Sequence, residues 1–341
     1  MENYTKKEAI EIMNRLGKEQ VPFLFIIDYA MEQNRIIPLA EVNTEYILFD
    51  FSGRTNVATG QTDSKNVSIQ FPTPLIWEKY PVSPEQYRKG FDIVINGLKS
   101  GNSFLTNLTG RTPLRTNLSL LQIFSASQAK YKLWVKDEFC SLSPEIFVQI
   151  KEGRIASYPM KGTIAASVPD AETRILNDPK EQAEHATIVD LIRNDLSIHA
   201  SRVDVARYRY IDRLKTNTGE LLQVSSEVCG ELPCDYREKL GTIIYDMLPA
   251  GSICGAPKKK TCEIIAEAEG IGRGFYTGIA GIFDGNNLDS GVLIRFVEQD
   301  KNGDLFFRSG GGITAKSNCQ SEYEELIQKI YVPICRDHQN M

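Results

Sequence analysis

Histidine is scarce in this sequence, and the cysteines are not spaced as metal ligands usually are. The 341 residues include three histidines, at positions 185, 199 and 338, and seven cysteines, among which there is no Cys-x-x-Cys pair. Structural zinc sites are built from closely spaced cysteine and histidine side chains, so a zinc site of that kind is not predicted. Scattered cysteines are typical of reduced thiols in a cytosolic protein.

Long apolar runs and dense basic clusters are also missing. The longest apolar run, around residues 21–27, is far too short to span a bilayer. The charged N-terminal segment lacks the apolar core of a signal peptide. The net charge is −5 and the only basic cluster is Lys258–Lys260, whereas nucleic-acid binders usually carry a basic patch. We therefore expect a cytoplasmic protein that binds neither a membrane nor nucleic acid.

The arrangement of predicted elements indicates the fold class. Apolar runs predict strands, including residues 66–71 and 288–300, and amphipathic segments predict helices at 84–100, 181–196 and 320–334. Asp178 caps the second of these helices, Pro179 suits its first turn, and Glu181 completes a capping-box pattern. Predicted strands occur in adjacent sets with helices between the sets. We therefore predict an α+β fold with mostly antiparallel sheets, in a single domain over residues 1–341.

Two pairs of glutamates are spaced three residues apart on predicted helices. Glu181 and Glu184 share one helix face, and Glu322 and Glu325 share a face of the C-terminal helix. Such pairs are most often solvated surface charge. Two pairs near glycine-rich or basic segments also suit a divalent cation, because magnesium prefers carboxylate oxygens. The spacing alone leaves both interpretations open.

Two glycine-rich segments could bind anions. The three glycines Gly310–Gly312 follow an apolar strand, and such residues expose backbone N–H groups to a ligand or form a tight turn. The segment Gly251–Lys258 precedes a helix, where N–H groups and the helix dipole favour anions. Its spacing is not that of a P-loop, and no Gly-x-Gly-x-x-Gly motif follows a strand. Neither of these nucleotide-binding motifs is therefore predicted.

Three charged residues lie in or beside predicted strands. Arg295, in the apolar run GVLIRF, should be paired with either a ligand carboxylate or a structural acid. Glu145, in SPEIF, is either an edge carboxylate or a general acid. Lys161, in SYPMKGT, either covers a sheet edge or acts as a nucleophile. The residues by themselves leave each alternative open.

Several motifs resemble, in the same order along the chain, those of the chorismate-utilising enzymes. The resemblance covers roughly residues 84–335. Its motifs are SLSPEIF, PMKGT, KEQAEHATIVDLIRNDL, GSICGAPKKKTCEII, FYTGIAG, VLIRF and RSGGGITAKSNCQSEYEEL. Their occurrence together and in order is far more specific than any one of them.

The resemblance implies a fold and an activity. The implied fold has two mostly antiparallel β-sheets packed face to face with helices on the outside, forming two subdomains with a shortened N-terminal region of about residues 1–83. Lysine at position 161, where anthranilate synthases carry alanine, resembles component I of aminodeoxychorismate synthase. That enzyme aminates chorismate at ring carbon 4 with ammonia. The product, 4-amino-4-deoxychorismate, belongs to 4-aminobenzoate and folate biosynthesis.

The resemblance also assigns a role to individual residues. It implies that Lys161 attacks ring carbon 2 of chorismate and that Glu145 protonates the hydroxyl leaving carbon 4. The implied magnesium ligands and their neighbours are Glu184, Glu325, Glu181 and Glu322. The implied substrate-binding residues are Gly162, Thr163, Tyr276, Arg295, Gly310, Gly311 and Gly312.

Two departures from the family pattern refine these expectations. Leu105 stands where isochorismate and salicylate synthases carry a water-activating lysine, which argues against those activities. No cysteine lies in a Gly-x-Cys-x-Gly nucleophile elbow, so we expect a separate glutamine amidotransferase subunit to supply the ammonia. The alternatives are anthranilate synthase component I, a non-catalytic chorismate-type binding protein, and a magnesium-dependent hydrolase.

Overall fold

The protein is described here by a computed structural model that covers residues 2–57, 71–216 and 219–331. The strand predicted over residues 66–71 lies, apart from its last residue, outside these ranges, as do residues 332–334 at the end of the predicted C-terminal helix. In the part of the chain that the structure describes, no helix combines the length and apolar character needed to cross a bilayer.

The elements follow one another in mixed order along the chain. The helices are α1 (Lys6–Lys18), α2 (Pro84–Lys99), α3 (Leu120–Ala126), α4 (Ala171–Asn177), α5 (Pro179–Ser197), α6 (Leu240–Asp246), α7 (Gly251–Cys254), α8 (Lys258–Glu269) and α9 (Cys319–Gln328). The strands are β1 (Phe23–Ile27), β2 (Asn34–Pro38), β3 (Ile47–Phe51), β4 (Arg54–Thr55), β5 (Trp77–Lys79), β6 (Leu105–Thr116), β7 (Tyr131–Val135), β8 (Phe139–Ser143), β9 (Ile146–Lys151), β10 (Arg154–Ser157), β11 (Met160–Ala165), β12 (Ser201–Thr216), β13 (Gly219–Glu231), β14 (Gly255–Ala256), β15 (Ile279–Phe283), β16 (Leu288–Val292), β17 (Phe296–Gln299) and β18 (Leu305–Ile313).

The described strands form two antiparallel sheets. The first has the order β11-β13-β10-β9-β16-β15-β1-β2, with β12 paired to β13. The second has the order β14-β6-β18-β17-β8-β7-β3-β4, with β5 paired to β6. Strands β1 and β2 belong to the first sheet and β3 and β4 to the second, so the N-terminal region contributes to both. The division into two subdomains with a shortened N-terminal region stays a prediction.

The two sheets pack face to face. Leu24 and Ile26 of the first sheet share a buried apolar cluster with Phe49 and Leu133 of the second. Helices α1, α5 and α6 cover the outer face of the first sheet, and α2, α3 and α9 cover that of the second. Apolar residues on both faces of a sheet require such a layered arrangement. The predicted fold class is confirmed.

Helix α5 begins where the sequence predicts it. The Asp178 carboxylate accepts hydrogen bonds from the backbone N–H groups of Lys180 and Glu181, and Pro179 occupies the first turn. A carboxylate at this position satisfies N–H groups that have no partner within the helix. Ile188 and Ile192 lie on the buried face. The cap and the apolar face together fix the direction in which α5 projects its acidic residues.

The strand predicted over residues 288–300 is two strands in different sheets. Strand β16 ends at Val292 in the first sheet, and β17 starts at Phe296 in the second. Arg295 lies between them with φ +52°. The prediction that Arg295 lies within a strand is therefore wrong. The apolar run is continuous because the chain stays buried while it crosses between the two sheets, and hydrophobicity alone does not reveal such a crossing.

Candidate active site

Lys161 lies where β11, α5 and β18 come together. Its Nζ atom is 3.3 Å from the position that a Cβ would occupy on Gly312, and Glu184 Oε2 is 3.7 Å from the same position. Leu105 Cδ1 lies 3.2 Å from it. The amine, the carboxylate and the apolar Leu105 side chain therefore surround one small space, and a side chain at position 312 would crowd all three.

The backbone of β11 explains how this lysine is directed. The pairing of β11 with β13 shifts in register between Met160 and Thr163, and Gly162 has φ +81°. Glycine adopts this conformation without strain, and such irregularities re-aim neighbouring side chains. A Cβ on Gly162 would lie 3.2 Å from Glu181 Oε2, so the glycine also makes room for that carboxylate. Thr163 lies on the same strand but is exposed.

The two predicted glutamate pairs meet in space. Helix α5 presents Glu184 and α9 presents Glu322, and these residues are only 7% and 4% exposed. Lys180 Nζ lies 3.1 Å from Glu322 Oε1 and 3.8 Å from Glu184 Oε1. Lys180 thus connects the acidic faces of the two helices. These carboxylates are not the solvated surface charge that isolated pairs usually represent.

Burial opposes charge on the α5 glutamates. It raises the pKa of Glu181 and Glu184, although the Lys161 and Lys180 ammonium groups act in the opposite direction. Glu184 Oε1 is buried and has no hydrogen-bond partner among the described residues. On α9, burial also raises the pKa of Glu325, but the Lys329 ammonium outweighs it and the net shift is downward. At least one carboxylate oxygen of the cluster, Glu184 Oε1, therefore accepts no hydrogen bond from the described residues.

The carboxylate oxygens of the site are ligand atoms of the type that binds a magnesium ion. Within residues 2–57, 71–216 and 219–331, no group of three or more His, Cys, Asp or Glu side chains is arranged so that it could hold a metal ion. Lys180 and Lys329 contact the carboxylates instead. Glu184 Oε1, which accepts no hydrogen bond and lies 3.8 Å from Lys180 Nζ, and the surrounding carboxylates are nevertheless the hard oxygen donors that magnesium prefers. A metal ion would have to displace Lys180 from these oxygens.

Glu145 lies between β8 and β9 and faces helix α7. The Ser252 hydroxyl of α7 donates a hydrogen bond to Glu145 Oε1. Burial raises the pKa of Glu145, although this hydrogen bond and the Lys161 and Arg295 charges oppose the shift. A small pocket of about 20 Å³ adjoins these two residues. A carboxyl group that keeps its proton closer to neutral pH suits a general acid.

Arg295 and Tyr276 are the predicted partners of a substrate carboxylate. The Arg295 charge acts on Glu145, on Lys329 and on Tyr276. Tyr276 is 3% exposed, and burial raises its pKa to about 12. Its hydroxyl therefore stays protonated and can donate a hydrogen bond. An arginine and a phenol are suitable partners for a carboxylate.

The three glycines lie within β18 and not in a turn. Strand β17 pairs with β18 only as far as Arg308, whereas β6 pairs with it as far as Ile313. Beyond Arg308, one edge of β18 is thus open. The Gly310 carbonyl accepts a hydrogen bond of 2.7 Å from Lys329 Nζ at this edge. Because alternate residues of a strand direct their backbone groups the same way, the Gly312 N–H faces this edge too.

Sequence reasoning missed several polar residues of the site. Lys180 and Lys329 each lie four residues from a predicted glutamate, at the spacing of helical ion pairs, and this signal was available. His185 is completely buried, and its Nε2 lies 2.6 Å from Ser226 Oγ. Burial lowers its pKa to about 4, so the ring is neutral. Ser252 was predicted only as part of an anion-binding segment.

The fold and the site define a class of protein. The described strands form two antiparallel sheets, and a lysine, a buried acid and the carboxylates of α5 and α9 come together beside them. The sequence model of a family described as "chorismate binding enzyme" matches residues 52–334. The chain belongs to this chorismate-binding enzyme family.

Curated relatives include two different synthases. The chain is 48% identical to an "uncharacterized PabA-like protein" of Haemophilus influenzae, covering 98% of this chain and 99% of that protein. It is 30% identical to aminodeoxychorismate synthase component 1 of Klebsiella aerogenes, covering 84% and 65%. It is 31% identical to anthranilate synthase component 1 of Mycolicibacterium smegmatis, covering 72% and 49%. Identity alone does not separate the two synthase activities.

A solved structure has the same fold. The menaquinone-specific isochorismate synthase MenF of Escherichia coli superposes with a TM-score of 0.73 at 16% identity, covering 96% of this chain and 82% of that one. At this identity the likeness shows the fold, which is two antiparallel sheets with outer helices.

Proposed function

We propose that this chain aminates chorismate at ring carbon 4, using ammonia and magnesium, to give 4-amino-4-deoxychorismate. The observation that carries the proposal is the position of Lys161. Its amine shares one small space with the Glu184 carboxylate and with Gly312. This position supports the role of a nucleophile for Lys161 over that of a side chain that covers a sheet edge.

The proposed reaction has two nucleophilic steps. The Lys161 amine bonds to ring carbon 2 while Glu145 gives its proton to the hydroxyl that leaves carbon 4 as water. Ammonia then bonds to carbon 4, and the lysine amine leaves carbon 2. The enolpyruvyl group stays on the ring. The raised pKa of Glu145 supports its role as the acid.

The two carboxylates of chorismate need separate partners. We assign the enolpyruvyl carboxylate to Arg295 and Tyr276, assisted by backbone N–H groups of Gly162, Thr163, Gly310 and Gly312. The Gly311 N–H faces β6, and we propose that Gly311 makes room for the Glu325 carboxylate. Thr163 is exposed, and its assignment rests on the family motif alone.

The ring carboxylate is assigned to magnesium. Glu184 and Glu325 would hold the ion, with Glu181 and Glu322 beside it. Magnesium, when bound, would offset the charge of the ring carboxylate and disfavour the ammonium form of a nearby amine. Glu184 Oε1, which is buried and accepts no hydrogen bond from the described residues, supports this assignment.

Leu105 favours amination over hydration. Its Cδ1 lies 3.2 Å from the point around which Lys161 and Glu184 meet. A leucine neither accepts a proton nor activates water, so an attacking water molecule would have no base at this position. We propose that ammonia comes from a glutamine amidotransferase subunit and that the product enters 4-aminobenzoate and folate biosynthesis.

Product analysis tests the proposal directly. The protein is incubated with chorismate, ammonium and Mg²⁺, and the products are identified by liquid chromatography and mass spectrometry. We expect 4-amino-4-deoxychorismate with its enolpyruvyl group retained. Direct formation of anthranilate would establish the rival activity, and binding without turnover would indicate a non-catalytic protein.

A matched pair of variants tests the magnesium assignment. Glu325 and its exposed neighbour Glu324 lie on the same helix. We expect Glu325→Gln to lose Mn²⁺ binding, measured by electron paramagnetic resonance with Mn²⁺ as the probe, and Glu324→Gln to retain it. Equal binding by both variants would contradict the assignment.

A further inference from the structure

Two cysteines that the proposed reaction does not use face each other beside the site. Cys254 is the last residue of α7 and Cys262 lies in α8, and their Sγ atoms are 3.3 Å apart. Cys254 is completely buried, whereas Cys262 is only partly buried. The pair thus combines one thiol that solutes can approach with a second thiol held directly behind it.

The surroundings make the two thiols unequal. The hydrogen bond between the two thiols lowers the pKa of Cys262, and the Tyr29 hydroxyl, which donates to Cys262 Sγ at 3.5 Å, adds to the effect. Arg273 and Lys258 act in the same direction. The same hydrogen bond and burial raise the pKa of Cys254. Cys262 therefore has thiolate character, and thiolates are the species that peroxides oxidise.

We propose that Cys254 and Cys262 form a reversible, peroxide-sensitive dithiol site that closes into a disulfide between α7 and α8. The Cys262 thiolate attacks one oxygen of hydrogen peroxide, which gives a sulfenic acid and hydroxide. The Cys254 sulfur then attacks the sulfenic sulfur, and the S–O bond breaks as water is released. One peroxide is reduced to two waters while two thiols are oxidised to one disulfide. A dithiol reductant then reduces the disulfide back to two thiols.

Disulfide formation would reach the general acid through α7. The two sulfur atoms must approach each other by roughly 1.2 Å to reach the length of a disulfide bond, about 2.05 Å. Gly255, the next residue, cannot follow freely, because its backbone packs against Leu105 and pairs with β6. The adjustment is then shared by α7 and α8, and α7 carries the Ser252 hydroxyl that binds Glu145. This functional consequence rests on the proposed function, whereas the dithiol chemistry does not.

Peptide mapping of the whole protein tests the dithiol site without an activity assay. The reduced protein is treated with one equivalent of hydrogen peroxide at neutral pH, alkylated in denaturant and digested for mass spectrometry. We expect a Cys254–Cys262 linked peptide that dithiothreitol cleaves, while the exposed Cys234 stays alkylated. Oxidation of Cys234 before the pair, or sulfinic acid at Cys262 beside a free Cys254, would overturn the proposal.

Two single variants test the order of the steps. In Cys254→Ser, the sulfenic acid at Cys262 has no resolving thiol and should react with dimedone. In Cys262→Ser, Cys254 should stay a free thiol after the same treatment. A dimedone adduct on Cys254 in the second variant would contradict the assigned roles.

Turnover of chorismate tests the link to Ser252. We expect peroxide to reduce wild-type activity at least 10-fold, dithiothreitol to restore it, and Cys262→Ser to be insensitive. A disulfide that forms while activity is unchanged would refute the link to Ser252 and leave the dithiol site standing.

Discussion

Two clusters of buried charge in this molecule are organised in opposite ways. In the first, the side chains of Arg273 and Glu269 are 1% and 3% exposed. The guanidinium donates to both carboxylate oxygens and to the carbonyl groups of Ile253 and Asn107. The Glu269 carboxylate also accepts from the Thr109 N–H. Every polar group of this pair that the contacts describe has a protein partner, so the pair is structural.

The second cluster is the candidate active site, and it is left incomplete. Its carboxylates come from α5 and α9, and the lysines Lys161, Lys180 and Lys329 lie among them. Among the described residues, Glu184 Oε1 is buried without a hydrogen bond, with Lys180 Nζ 3.8 Å away, and burial raises the pKa of this carboxyl. Unsatisfied buried polar groups are costly, and proteins retain them mainly where a ligand completes the arrangement. The contrast separates a pair of charges that the protein itself fully satisfies from a cluster that we propose to be completed by a ligand.

The largest effect is expected for the nucleophile. Lys161→Ala should reduce amination of chorismate by on the order of 10³-fold or more, because no other group would form the bond to carbon 2. Lys151→Ala, at an exposed position on β9, is the matched control and should retain wild-type activity. The rates are measured by quantifying 4-amino-4-deoxychorismate. Comparable activity in the two variants would mean that Lys161, like Arg273 and Glu269, has a structural role and no catalytic one.

The general acid should show its role in the pH dependence. Burial raises the pKa of Glu145. The carboxyl group is protonated below that pKa, and the enzyme should lose activity as the pH rises through it, because the proton is lost. Glu145→Gln should lower kcat by roughly 10²–10⁴-fold and should abolish this decline. The kcat of both proteins is followed against pH at saturating ammonia. A variant that keeps the same decline would assign it to another group.

Disruption of the Arg273–Glu269 pair should lower the stability of the fold and leave the catalytic reaction of the folded protein unchanged. Glu269→Gln leaves the buried Arg273 charge uncompensated, and breaking such a pair costs about 3–5 kcal/mol of the free energy of unfolding. Chemical denaturation measures this loss. The fraction that remains folded should still turn over chorismate. A variant as stable as the wild type would mean that the pair is not the structural element described above.

The smallest effect is expected for Glu184, and it has the opposite sign. Because burial raises the pKa of Glu184, the folded state favours its protonated form, and stability is lost as the pH rises from the ordinary glutamate range through the raised pKa. Because glutamine does not ionise, Glu184→Gln abolishes this pH-dependent loss of stability. In the presence of EDTA, the variant should therefore be slightly more stable than the wild type at pH 8 and should differ less from it at pH 4. Marked destabilisation, as in Glu269→Gln, would erase the contrast between the clusters.

The sequence predicted elements that depend on local chemistry. Helix α5 was predicted because Asp178 and Pro179 form a start signal whose effect does not depend on distant residues. Both glutamate pairs and Lys161 were singled out from motif spacing, and the structure brings them together. Their chemical roles stay predictions.

Other features depend on partners that are remote in sequence. The crossing at Arg295 is hidden within a continuous apolar run, because burial looks the same in either sheet. The open edge beside the three glycines could not be inferred, since it results from where β17 stops pairing with β18. Lys180 was missed because a lysine on a helix is usually solvated, and only the approach of α9 makes it a bridge to Glu322.

Covalent trapping is the most direct measurement of the central proposal. The protein is incubated with chorismate and Mg²⁺ in the absence of ammonia, and its intact mass and peptides are analysed. We predict an adduct on Lys161 that added ammonium discharges as 4-amino-4-deoxychorismate. Turnover in the presence of ammonium without any adduct on Lys161, or an adduct on Lys180 in its place, would contradict the account.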